Sequence, residues 1–149
     1  MKIRYAHTNI IAKDWRKLVD FYTEVFHCVP VPPERDQSGA WLEKGTGVRN
    51  AALQGMHLRL PGHGLQGPTL EIYSYSEMIP QKPSTANRQG LGHLAFEVSE
   101  LEACVQKALD QGASKHGEIS RATVDGVGTI HFIYIADPEG NIIELQQWE

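Results

Sequence analysis

Residues 93–99, His-Leu-Ala-Phe-Glu-Val-Ser, alternate apolar and polar positions, with Leu94, Phe96 and Val98 on one side and His93, Ala95 and Glu97 on the other. A period of two marks a strand with one face turned to a core. The period then lengthens: Leu101, Cys104, Val105, Ala108 and Leu109 recur at helical spacing, with Gly112 as a stop. Ser99 and Glu102 have the S-x-x-E spacing that predicts a capping box. The same succession stands earlier in the chain. His7-Thr8-Asn9-Ile10-Ile11 predicts a strand, Asp14 a helix cap, and Trp15, Leu18, Val19, Tyr22 and Phe26 an amphipathic helix. Laying His7 over His93 keeps the two stretches in phase at a period of 86 residues. That is far longer than a solenoid unit, so the chain reads as two copies of a half-domain.

The copies also close alike. Residues 69–75 (Thr-Leu-Glu-Ile-Tyr-Ser-Tyr) and 141–147 (Asn-Ile-Ile-Glu-Leu-Gln-Gln) each predict a strand with a glutamate flanked by aliphatics. In the first copy Pro30, Pro32 and Pro33 break the chain after the helix. A polar loop over 34–39, a strand over 40–44, a turn at 45–47 and a longer strand over 50–60 follow, then a glycine-rich loop. Residues 79–90, with Pro80, Pro83 and Gly90, read as a linker. The second copy predicts a weak strand near 114–120, a strand over 128–136 and a tight reversal at 137–141, where Pro138 and Gly140 suit a turn. Each copy is therefore βαβββ and the class α+β. One domain spans 1–149, with module 1 at about 1–78, the linker at about 79–90 and module 2 at about 91–149.

A chain of 149 residues can bury a substantial core. The net charge of −4, with scattered lysines and arginines, lacks the basic stripe of a nucleic-acid binder. No apolar run approaches the ~20 residues of a membrane helix, and residues 1–5 enter the first strand without a signal peptide. Cys28 and Cys104 provide neither a disulfide framework nor a thiolate zinc site. These features predict a cytoplasmic protein whose partner is a small molecule rather than nucleic acid or a membrane.

A single strand histidine is ordinarily a hydrogen-bond partner, and a single strand glutamate ordinarily faces solvent. The twofold recurrence changes this, because His7 with Glu71 and His93 with Glu144 hold matching places in the two copies. A carboxylate within an apolar strand is costly unless something pairs with it. His57 and His131, each in the third strand of a copy, read as surface or supporting histidines. His27, His63 and His116 carry no signal, and Trp41 and Trp148 read as packing or rim residues.

The phrases Gly-Leu-Gly-His-Leu-Ala-Phe-Glu-Val at 90–98 and Asp-Pro-Glu-Gly-Asn-Ile-Ile-Glu-Leu at 137–145 resemble those of the vicinal oxygen chelate superfamily. That group includes glyoxalase I, bleomycin and fosfomycin resistance proteins, methylmalonyl-CoA epimerase and extradiol dioxygenases. The resemblance covers nearly the whole chain and is greatest to glyoxalase I-like proteins. It implies paired βαβββ modules whose sheets curl into a cup around one divalent metal per chain, held by His7, Glu71, His93 and Glu144. Imidazole and carboxylate donors suit Ni, Co, Mn, Fe or Zn. It further implies a metal-dependent lyase or isomerase that moves a proton beside a chelated carbonyl, with Glu144 as the base and Glu71 as the mirror candidate, in a homodimer. A ring-cleaving dioxygenase and a non-catalytic binding or resistance protein are the alternatives on the same fold. Glutathione-using glyoxalases carry arginine and asparagine where this chain has Ile11 and Tyr75. Arg88 stands one residue out of step with another substrate-binding arginine of that group. Arg88 and Tyr75 are the candidate substrate contacts.

Overall fold

The two periodicities become three helices and two curled, open sheets in a computed structural model that describes all 149 residues. The chain divides into two compact units, Met1–Gln81 and Lys82–Glu149. No helix is long and apolar enough to cross a membrane.

In the first unit, β1 (His7–Ile11), α1 (Trp15–Phe26), β2 (Val29–Ser38), α2 (Ala40–Thr46), β3 (Ala52–Arg59) and β4 (Thr69–Tyr75) build a sheet of order β1-β4-β3-β2. β1 runs parallel to β4 and the other pairs are antiparallel. α1 begins as its sequence requires: Asp14 Oδ1 accepts a hydrogen bond from the Lys17 amide at 3.1 Å, a cap worth about 1 kcal/mol. Its stripe of Leu18, Tyr22, Val25 and Phe26 is buried. The helix packs on β3 and β4, whose alternate residues Leu58, Leu70 and Ile72 are almost fully excluded from water. Each such side chain stabilises the unit by about 1.5–3 kcal/mol.

Two expectations are corrected here. Residues 40–44 form helix α2 and not a strand, because Ala-Trp-Leu-Glu-Lys contains good helix formers and no β-branched residue. Gly39 and Gly47, both at positive φ, bracket it. Residues 34–39 are largely the second half of β2 and not a loop. β2 tolerates Pro30, Pro32 and Pro33 because it is an edge strand, paired only with β3, and its ladder slips between Val31 and Arg35. The βαβββ order stands, with β2 taking the place assigned to 40–44.

In the second unit, β5 (Leu94–Glu97), α3 (Leu101–Asp110), β6 (Ser114–Lys115), β7 (Ser120–Val124), β8 (Gly128–Ala136) and β9 (Ile142–Trp148) form a sheet of order β5-β9-β8-β6, with β7 also on β8. β6 and β7 lie along successive stretches of β8, as the two halves of β2 lie along β3. The predicted capping box does not form. Glu100 is the N-cap of α3 without a side-chain cap bond, and the Leu101 amide donates instead to Gln147 Oε1 of β9 at 2.9 Å. Leu101, Val105 and Ala108 are buried, as are Ile133, Ile135, Ile143 and Leu145 of the sheet.

The 137–141 turn is held by one carboxylate. Asp137, 3% exposed, accepts through Oδ1 from the amides of Glu139 and Asn141, each at 2.9 Å. Asn141 Nδ2 donates to Oδ2 at 2.9 Å, and Gly140, at φ 88°, donates its amide to the Asp137 carbonyl. This turn sets the register of β8 against β9, which places Tyr134 opposite Glu144.

Candidate metal centre

On the face of the first sheet opposite Leu58, Leu70 and Ile72, strand register collects the polar residues. Asn9 and His57 are the cross-strand neighbours of Glu71 on its two sides, and Gly55 is the neighbour of Tyr73. Glu71 is 8% exposed, so its charge requires partners. His57 Nε2 lies 3.0 Å from Glu71 Oε1 and His7 Nδ1 lies 3.4 Å from the same oxygen. Asn9 Nδ2 donates to Glu71 Oε2 at 3.5 Å. The Tyr73 hydroxyl stands 2.6 Å from His57 Nε2. Gly55 makes this possible, since a Cβ there would collide with the Tyr73 ring and the Ile72 carbonyl oxygen.

Burial, reinforced by the Glu71 charge, pushes the Tyr73 phenol up to about 12, so it remains a donor throughout the ordinary pH range. Burial also lowers His57, with Arg35 and His7 acting in the same direction and the Glu71 charge opposing them. His57 is therefore biased toward the neutral imidazole.

The second unit repeats the plan with fewer partners. Ala95 and Tyr134 are the cross-strand neighbours of Glu144. His93, which immediately precedes β5, places Nε2 2.9 Å from Glu144 Oε2. The Tyr134 ring lies 4.9 Å from the His93 ring and 6.0 Å from Phe132. By register, Ala95 takes the place of Asn9, Tyr134 that of His57 and Gln146 that of Tyr73.

The structure thus joins His7 to Glu71 in one unit and His93 to Glu144 in the other. Donor atoms bound at about 2.0–2.2 Å to one cation lie roughly 3 Å apart, so each pair has the spacing of two ligands sharing an ion. Three or more His, Cys, Asp or Glu side chains do not converge as a metal cage. In the first unit both imidazoles address a single oxygen of Glu71 rather than a common point. The donor chemistry of each pair, an imidazole and a carboxylate, is of the kind that divalent first-row metals take.

Of the two sequence-based readings of His57, surface or supporting, its contact with Glu71 favours the second; sequence reasoning did not single out Tyr73 or Tyr134. It also matched His57 with His131, which the register corrects. His131 pairs with Gln147 on the opposite face, its Nε2 3.5 Å from Glu149 Oε1 and without a hydrogen bond. Tyr75 packs against Leu42, Ala51, Leu53 and Tyr73, and with Asp36, Gln54 and Ser74 borders a cleft of about 300 Å³. Arg88 is exposed and hydrogen-bonds within its own segment, Nη1 donating to the Lys82 carbonyl at 3.3 Å.

A sequence profile described as the glyoxalase/bleomycin resistance protein/dioxygenase superfamily matches residues 4–145. The chain belongs to this superfamily. Its members act on small molecules and typically bind a divalent metal. Among solved structures, a glyoxalase family protein from Bacillus cereus superposes on 99% of this chain and 94% of its own, with a TM-score of 0.76 and 16% identity. The fosfomycin resistance protein FosX from Listeria monocytogenes covers 100% and 96%, with a TM-score of 0.59 and 18% identity. TioX from Micromonospora sp. covers 98% and 99%, with a TM-score of 0.58 and 14% identity. At these identities the likeness is one of fold. No curated protein matches the chain by sequence.

Proposed function

We propose that the superfamily member described here is a metal-dependent lyase or isomerase of the glyoxalase I-like type, acting on a small molecule with a carbonyl and a second oxygen beside it. The observation that supports it most is the duplicated pair, His7 with Glu71 at 3.4 Å and His93 with Glu144 at 2.9 Å, at matching places in two modules. In this reading His7, Glu71, His93 and Glu144 are the ligands of one divalent ion per chain. When bound, such an ion polarises a carbonyl and lowers the cost of negative charge on its oxygen.

The protein's own part is to orient the substrate and move a proton. One carboxylate must take a proton from the carbon beside the carbonyl and deliver it to the neighbouring carbon, which requires a base free to shift by an ångström or so. Glu71 is held by His7, His57 and Asn9. Within its unit Glu144 has His93 alone. Glu144 is therefore the base and Glu71 the fixed ligand. Tyr75 and Arg88 are candidate substrate contacts. Asn9, Ile11, Ala95 and Glu97 are exposed on the outer strands β1 and β5, which suits the pairing of two chains as a homodimer in the cytoplasm.

The test is a screen of protein loaded in turn with Ni, Co, Mn, Fe and Zn against hemithioacetals of α-keto aldehydes, acyl-CoA thioesters and catechols. Anaerobic turnover of a carbonyl substrate is expected. Oxygen uptake with a catechol would instead make the protein a dioxygenase, and saturable binding without product a binding protein.

A further inference from the structure

We infer that His57, steadied by the Tyr73 hydroxyl, is a positioning residue for Glu71, and that it makes the carboxylate of the first module the immobile one of the two. The inference rests on the metal-site reading above. Three observations carry it. His57 Nε2 is nearer to Glu71 Oε1 than His7 is, at 3.0 against 3.4 Å. His57 is half-buried and itself held, with the Tyr73 hydroxyl 2.6 Å from the same nitrogen. Gly55 leaves the space that lets the Tyr73 ring lie where its hydroxyl reaches His57. The second module has no such device, since Tyr134 and Gln146 occupy the corresponding places.

The chemistry explains why a histidine serves here. A carboxylate bound to a cation through one oxygen swings unless its other lone pairs are engaged, and partners outside the ligand set fix that orientation. The His57 ring nitrogen that faces Glu71 can carry one N–H toward the carboxylate, and the Tyr73 oxygen beside it shares that same N–H. Phe or Leu at 57 would leave the buried carboxylate short of a donor. A tyrosine there, as in the second module, carries its hydroxyl further from the strand.

The experiment uses metal-free full-length protein titrated with Co²⁺ alone and followed by visible absorption. His57→Leu is expected to weaken Co²⁺ binding by about 10–100-fold, with absorption bands at saturation at the wild-type wavelengths because the ligand set is unchanged. His57→Gln, which restores an N–H donor, should recover most of the loss. Tyr73→Phe should fall between the wild type and His57→Leu. Wild-type affinity in His57→Leu overturns the positioning role and leaves the metal site standing. Shifted bands at saturation make His57 a ligand and overturn it as well. A wild-type protein that takes up no Co²⁺ defeats the metal reading, and this role with it. Should His57→Leu fail to fold, Tyr73→Phe decides: weaker binding with unshifted bands supports the role, and wild-type affinity overturns it.

Discussion

Glu71 and Glu144 descend from the same place in a repeated plan, yet their surroundings differ. Glu71 is met by two imidazoles and an amide, with the Tyr73 phenol behind one of the imidazoles. Glu144 is met by one imidazole beside an aromatic ring. A carboxylate engaged by several partners is a good anchor and a poor base, because every motion breaks a hydrogen bond. One with a single partner can leave it. In the proposed reading, duplication of a module supplies two matching carboxylates, and divergence of two cross-strand neighbours and one residue on the same strand would give them different work.

The comparison breaks most visibly in turnover. Glu144→Gln keeps a coordinating oxygen but removes the base, and general acid–base help is typically worth about 10²–10⁴ in rate. Steady-state assays on the substrate found by screening should show a fall of that size with metal affinity reduced far less. Glu71→Gln should reverse the balance, losing more affinity than chemistry. Equal rates in the two variants would show that the carboxylates are interchangeable.

The next effect concerns what holds Glu144 in register. Asp137→Ala strips the acceptor from two backbone amides and the Asn141 side chain in a buried turn. A loss of about 2–3 kcal/mol in urea unfolding is expected, with Asp137→Asn retaining part of it. Gly55→Ala addresses the other unit. Its methyl group would strike the Tyr73 ring and the Ile72 carbonyl, and overpacking of this kind costs about 1–3 kcal/mol. The variant should also weaken metal binding, because Tyr73 must move. Asp137→Ala and Gly55→Ala should thus damage different halves of the donor set.

The smallest effect separates the two thiols. Cys28, 1% exposed at the end of α1, has its thiol pushed up to about 12 by burial. Cys104 on α3 is also raised by burial, with Lys107 opposing, and is half-buried. The thiolate is the reactive form. Iodoacetamide should label Cys104 first, and Cys28 only on unfolding, even at pH of about 9 where an ordinary thiol is largely ionised. Mass spectrometry of partially labelled protein reads the order directly.

The α+β class, the repeated βαβββ plan and the α1 cap were legible because they depend on local period and nearest-neighbour chemistry. His7 and His93 could be matched as candidates by the 86-residue phase, and Glu71 and Glu144 by the likeness of the strands that carry them. What escaped was set by partners distant in sequence. Residues 34–39 have no strand period, yet β3 offers them a ladder. The cap of α3 comes from Gln147, on the far side of the unit in sequence. His57 and His131 share a strand number but not a face, and only the register of each hairpin distinguishes them. That register depends on loops of unequal build, a glycine-rich stretch in one unit and the Asp137 turn in the other.

The central claim, that His7, Glu71, His93 and Glu144 are the ligands of one divalent ion per chain, is tested most directly by counting metal. Elemental analysis of wild type, His7→Ala and His93→Ala, each saturated with Co²⁺ or Zn²⁺ and desalted, should give close to one ion per wild-type chain and a marked loss in both variants. Two ions per chain would contradict the claim, as would either variant retaining its ion at wild-type affinity.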